Sequence, residues 1–153
     1  MKKCKTQGTV TNMMKCILPS LSVNESIARS VISSFCLCLG PTATEIADIK
    51  CAVSEAVTNC IVHAYKNSVG MIYITAEAFS DNVVKITIRD KGCGIEDIKQ
   101  ARQPLFTTDA ASERSGLGFT VMESFTDKLS VRSVVGKGTT VIMHKKIGDA
   151  IGL

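Results

Sequence analysis

The spacing of apolar positions changes period midway along this chain, from helical in the first half to alternating beyond Gly70. The first dozen residues are polar and irregular, and residues 1–11 read as a loose tail. Met13 to Leu18 reads as a short strand stopped by Pro19. Ser22 and Glu25 have the spacing of a capping box and predict a helix to about Leu39, with Gly40 as its stop. Thr42 and Glu45 repeat the device after Pro41 and open a long second helix reaching the Lys66–Asn67 region. Its stripe of Ile49, Val53, Ala56, Val57, Cys60 and Ala64 recurs at helical spacing and predicts one buried face.

Beyond Gly70, Ile72, Ile74 and Ala76 alternate with Tyr73, Thr75 and Glu77. A turn at Ser80–Asn82 leads into Val84, Ile86 and Ile88, alternating with Lys85, Thr87 and Arg89; the pair predicts a hairpin with one buried face. A glycine loop, a short helix from Glu96 to about Ala101, and a polar stretch with Pro104 come next. A helix over Gly116–Phe125 precedes strands at about Leu129–Val134 and Thr139–Lys145. Helices early and strands late predict an α+β two-layer sandwich, with helices on one face of a mixed, mostly antiparallel sheet.

Composition narrows the class. A chain of 153 residues makes one ordinary domain, and 45% hydrophobic with 21% charged residues excludes a disordered chain. The longest apolar run, Phe35–Leu39, falls far short of the roughly 20 residues a bilayer crossing needs. Met1–Lys5 imitates the charged start of a signal peptide, but Asn12 and Lys15 interrupt the apolar stretch such a leader needs. The expectation is a cytoplasmic protein without a membrane role. The net charge of +4 is dispersed and aromatics are only 5%, which argues against nucleic acid as a partner. Seven cysteines without a CxxC, beside only His63 and His144, argue against zinc and are expected to be buried, reduced thiols.

Three features carry chemistry. Glu55, Asn59 and His63 lie at i, i+4 and i+8 along one edge of the second helix; taken alone, such a row is a solvated face. Small neighbours Ala52, Ala56 and Cys60 leave room beside it. Asp90 keeps the parity of Val84, Ile86 and Ile88, so its carboxylate points to the buried side at a strand end, where it needs donors. Gly92 and Gly94 beside it permit close backbone approach, which suits a ligand with an exocyclic amine; an aspartate turn before glycine is the plainer alternative. Ser115, Gly116, Leu117 and Gly118 open a helix whose exposed N–H groups suit phosphate, with Arg114 as an added charge. Gly136 to Thr139 is not a Walker A loop, and neither protein-kinase nor Rossmann signatures occur.

Four such signals stand in a fixed order. Glu55-x3-Asn59-x3-His63, Asp90-x-Gly92-x-Gly94, Gly116-x-Gly118 and Gly136-x-Gly138-Thr139 resemble the N, G1, G2 and G3 boxes of the ATPase superfamily of gyrase B, Hsp90, histidine kinases and MutL. Within it, the strings Ser54–Asn59, Arg102–Thr108 and Glu113–Phe119 resemble those of the anti-sigma-factor serine kinases, and the resemblance runs from about Asn12 to Ile147. It implies one domain over residues 12–147 of the histidine-kinase-like (Bergerat) ATPase type, flanked by an N-terminal tail of residues 1–11 and a C-terminal tail of residues 148–153.

The same resemblance implies roles. Asp90 would accept from the adenine amine of ATP, with Thr139 nearby. Asn59 would hold Mg²⁺, and Glu55 would act as base or orienter for an attacking hydroxyl. Gly92, Gly94, Thr107, Thr108, Arg114, Ser115, Gly116 and Gly118 would complete the nucleotide site, with residues from about Gln100 to Ser115 as a lid. His63 would be structural. The family pairs as homodimers, sequesters a sigma factor (here of the sporulation, sigma F type) and phosphorylates a serine of an anti-anti-sigma protein. The stretch Asn24–Ser26 with Arg29 resembles the segment through which partners are met. Two other readings stand beside this one: a nucleotide-gated binder without phosphotransfer, and a detached histidine-kinase catalytic domain. Glu55 separates the first, since a pure binder needs no positioned carboxylate; the absence of a phospho-acceptor helix pair weighs against the second.

Overall fold

The computed structural model describes residues 7–104 and 117–148. Five strands form one sheet: β1 (Val10–Pro19), β2 (Met71–Phe79), β3 (Val83–Arg89), β4 (Lys128–Val134) and β5 (Gly138–Lys146), in the order β1-β2-β3-β5-β4. Among the described residues every pairing is antiparallel, so the sheet is antiparallel throughout where a mixed, mostly antiparallel one was expected. The physical reason is connectivity: β2–β3 and β4–β5 are hairpins, the helical connection after β1 brings β2 back antiparallel beside it, and the one after β3 leads to β4, whose hairpin partner β5 lies antiparallel beside β3.

Helices α1 (Val23–Cys36), α2 (Ala43–Asn59), α3 (Ile98–Ala101) and α4 (Gly118–Phe125) complete the sandwich. The alternation read from the sequence is the alternation of burial. Ile72, Ile74, Ala76, Val84, Ile86 and Ile88 are buried and meet Ile32, Ile49, Val53, Val57 and Met122 from the helices. Each such aliphatic side chain contributes about 1.5–3 kcal/mol through burial, which holds the two layers together. Lys145 adds a polar tie, donating to Asp48 Oδ2 at 3.1 Å and to the Phe125 carbonyl at 2.9 Å.

The two anticipated capping boxes part ways. At Thr42 the box is complete: Glu45 N–H donates to Thr42 Oγ1 at 3.1 Å and Thr42 N–H to Glu45 Oε2 at 2.8 Å. At Ser22 there is none, because its backbone is helical and its side chain caps nothing. Glu25 is instead recruited by other groups. It accepts from the Ser54 hydroxyl of α2 and pairs with Arg29 Nε at 3.1 Å. The helix α1 also ends sooner than expected, at Cys36, and tightens into a 3₁₀ turn over Leu37–Leu39; Gly40, at φ +65°, is the anticipated stop.

Two boundaries move. Regular structure starts at Val10; Gln7 and Thr9 N–H groups donate to Asp81 Oδ2 and Ser80 Oγ at the β2–β3 turn, and Val10 and Thr11 meet Phe79 and Ala78 at the end of β2, so residues 7–11 are not a loose tail. The second helix does not continue as α-helix to Lys66. It ends at Asn59 and widens into a π-helical turn over Cys60–Ala64. Six cysteines among the described residues are free thiols, but only Cys36 and Cys60 are buried; Cys38, Cys51 and Cys93 are exposed, against the expectation. Burial pushes the Cys36 thiol up to about 12.

Candidate functional site

A cavity of about 800 Å³ opens between α2 and the π-helical turn after it, the β3–α3 loop with α3, the start of α4, the β4–β5 turn and the first half of β5. Its size suits a nucleotide-sized ligand. Glu55 and Asn59 line one wall, Asp90 and Thr139 the floor, and Gly94, Ile95 and Gly118 the rim. The edge of α2 that alone would read as a solvated face is therefore a cavity wall.

Glu55 and Asn59 lie one helical turn apart and converge on one point. A Cβ built on Gly118 would stand 3.2 Å from Glu55 Oε2 and 3.5 Å from Asn59 Oδ1. The Glu55 carboxylate and the Asn59 amide thus pack beside Gly118, the first residue of α4. A larger residue at 118 would intrude on both.

Asp90 is 5% exposed and well supplied with donors. Its Oδ1 accepts the main-chain N–H of Gly92 at 2.9 Å and of Thr139 at 3.2 Å, and its Oδ2 lies 3.6 Å from the Cys60 sulfur. Both the aspartate-turn reading and the buried-parity reading hold at once, since Gly92 is the turn donor and the side chain still lines the cavity. Burial, and then the Asp90 carboxylate, push the Cys60 thiol well above its ordinary value.

The glycines serve protein packing. A Cβ on Gly92 would lie 2.3 Å from the Ala64 carbonyl oxygen, where Cys93 N–H donates at 2.9 Å. Gly94 has φ +76° and abuts the Val134 carbonyl, while Gly138 abuts the Asp90 carbonyl. These contacts lock the loop after β3 onto the π-helical turn on one side and the β4–β5 hairpin on the other.

Sequence reasoning missed Cys60 and Ser133. Cys60 belongs to the apolar stripe, and the periodicity says nothing of the acid above it. Ser133 shares the inward parity of Leu129 and Val131, a polar residue at a core position, and that was the available signal. Its hydroxyl accepts from Ile95 N–H at 2.8 Å and lies 2.8 Å from Thr139 Oγ1, so it ties the glycine loop to the cavity floor. His63 lines the same cavity. Thr107, Thr108, Arg114, Ser115 and Gly116 lie outside the described residues. Arg29 stands on α1, away from the cavity lining.

The fold and this cavity define a nucleotide-binding ATPase sandwich, and comparison with known proteins agrees. The family of histidine kinase-like ATPase domains matches residues 18–145. An anti-sigma F factor of Thermoanaerobacter sp. (strain X514) is 56% identical over 139 residues, 91% of this chain and 96% of that protein. The anti-sigma F factor of Priestia megaterium is 46% identical over 93% of this chain and 97% of its own length. Among solved structures, the RsbU and RsbW domains of a Mycobacterium tuberculosis protein superpose with a TM-score of 0.66 at 21% identity, over 90% of this chain and 33% of that one, which speaks to the fold. The chain belongs to the histidine kinase-like ATPase family and, within it, to the anti-sigma F factors. Among the described residues no helix is long and apolar enough to cross a membrane.

Proposed function

We propose that this protein binds and inhibits a sigma factor of the sigma F type and, as an ATP-dependent serine kinase, phosphorylates an anti-anti-sigma partner. The observation that carries the enzymatic part is the convergence of Glu55 and Asn59 on the first turn of α4. A pure binder has no use for a carboxylate held there, so the nucleotide-gated reading is the weaker one.

In this reading Asp90 accepts the adenine amine at the buried end of the cavity, and the α4 N-terminus receives phosphate. The donor set suits magnesium, a hard ion that takes one or two protein oxygens and otherwise phosphate and water. Asn59 Oδ1 would be its protein ligand, and when bound the ion would neutralise phosphate charge. Glu55 then orients the partner's serine hydroxyl and takes its proton. As the serine oxygen–phosphorus bond forms, the bond to the β-phosphate oxygen breaks and ADP leaves. Arg29 and its neighbours on α1 meet the partner, and the protein acts as a homodimer in the cytoplasm.

The test is direct. The protein is incubated with labelled ATP, Mg²⁺ and proteins encoded beside it, and phosphoserine is sought. Transfer of label to a small partner protein supports the kinase. Tight, nucleotide-dependent capture of a sigma factor without any transfer would replace it with the binder.

A further inference from the structure

A carboxylate offers about four acceptor sites on its two oxygens. On Asp90, Oδ1 is occupied by two main-chain donors, Gly92 at 2.9 Å and Thr139 at 3.2 Å. Oδ2 carries the Cys60 thiol at 3.6 Å, within reach of a sulfur donor. Both residues are at least 95% buried and both line the cavity. Three of the four sites are therefore filled by the protein, and the fourth belongs to Oδ2.

We propose that Cys60 is a positioning residue for nucleobase selection: its S–H occupies one site of Asp90 Oδ2 and leaves a single acceptor for one ligand N–H. This rests on the reading of the cavity as a nucleotide site and adds to it the device that makes Asp90 selective. With Oδ2 wholly open, a water could share it and bridge to a carbonyl-bearing base, softening the preference for an amine. With one site left in a buried floor, a 6-amino purine is satisfied, whereas a 6-oxo purine sets its oxygen against the carboxylate. At 3.6 Å the sulfur stands at the length of a thiol-to-carboxylate hydrogen bond, in which the S–H donates and the carboxylate oxygen accepts. Cys60 is held in place as the first residue of the π-helical turn, whose last carbonyl, on Ala64, receives Cys93 N–H.

The test measures ATP and ITP affinity by calorimetry for the full chain and for Cys60→Val and Cys60→Ser, with inorganic tripolyphosphate as the base-free control. Wild type is expected to prefer ATP. Cys60→Val should narrow the preference for ATP over ITP roughly threefold to tenfold, the worth of a modest hydrogen bond, while tripolyphosphate affinity stays within about twofold. Cys60→Ser, which keeps a donor, should restore the preference. The infrared S–H stretch that vanishes in Cys60→Val should lie below the free-thiol frequency and move on adding ATP but not tripolyphosphate. An unchanged ratio of ATP to ITP affinity in Cys60→Val, equal losses for both included, would make Cys60 a packing residue only and overturn the proposal, as would a free-thiol frequency. Wild type that binds tripolyphosphate and both nucleotides alike, or none of them, overturns the nucleotide-site reading itself.

Discussion

Asp90 and Thr139 are joined reciprocally: Asp90 N–H donates to the Thr139 carbonyl at 2.9 Å, and Thr139 N–H returns a bond to the Asp90 carboxylate at 3.2 Å. The pair extends the β3–β5 ladder one step past its last strand residue and fixes the acid's direction before any ligand arrives. Asp90→Asn keeps the shape but loses the charged acceptor, so ATP and ADP should both weaken by about 1.5–3 kcal/mol. Calorimetry on the folded variant checks this, and unchanged affinity for both nucleotides removes Asp90 from base recognition.

Glu55 and Asn59 separate by their behaviour under substitution. Glu55→Ala should reduce phosphorylation of the partner by about 10²–10⁴, the usual worth of a general base, while ATP still binds. Asn59→Ala should weaken Mg-nucleotide binding as well as turnover. Transfer rates within about threefold of wild type in Glu55→Ala would end its catalytic assignment.

Arg29 tests the partner surface. Arg29→Glu should abolish capture of the sigma factor without altering ATP affinity, since reversing a desolvated interface charge costs several kcal/mol. The substitution also sets two acids at i and i+4, because Glu25 is the present partner of Arg29 at 3.1 Å. The double exchange Glu25→Arg with Arg29→Glu repairs that pair and should still fail to co-purify the sigma factor. Capture at the wild-type level by either variant would move the interface elsewhere.

The capping boxes give a stability prediction. Thr42→Ala removes a cap that is fully formed and should cost about 0.5–2 kcal/mol in urea unfolding. Ser22→Ala removes a side chain that caps nothing and should be nearly neutral. Equal losses at the two sites would contradict the arrangement.

That contrast also shows where sequence reading stops. Ser22–Glu25 and Thr42–Glu45 are the same local signal, yet Ser22 takes a helical backbone and Glu25 is claimed by Arg29 and by Ser54, the latter 29 positions away. Alternation placed Ile72 to Ile88 and the inward-facing Asp90 correctly, because period-2 geometry is local. The helical stripe ran through Cys60 without a break, since widening α2 into a π-helical turn leaves the apolar spacing nearly unchanged over so few residues. The parallel pairing that a mixed sheet requires does not occur among the described residues, because strand direction is settled by how the helices return the chain, which no single segment records. Glu55 and Asn59 were legible as a pair, whereas their common target at Gly118 is a long-range fact.

The cavity draws its lining from residues 55–141 and takes none from β1 or α1, among the described residues. The edge strand and first helix thus stand outside the cavity wall, tied to the rest of the fold by the β1–β2 ladder, apolar packing and the Ser54–Glu25 contact. In the proposed reading, outward-facing substitutions on β1 and α1 can therefore alter partner capture while every residue that lines the cavity stays as it is.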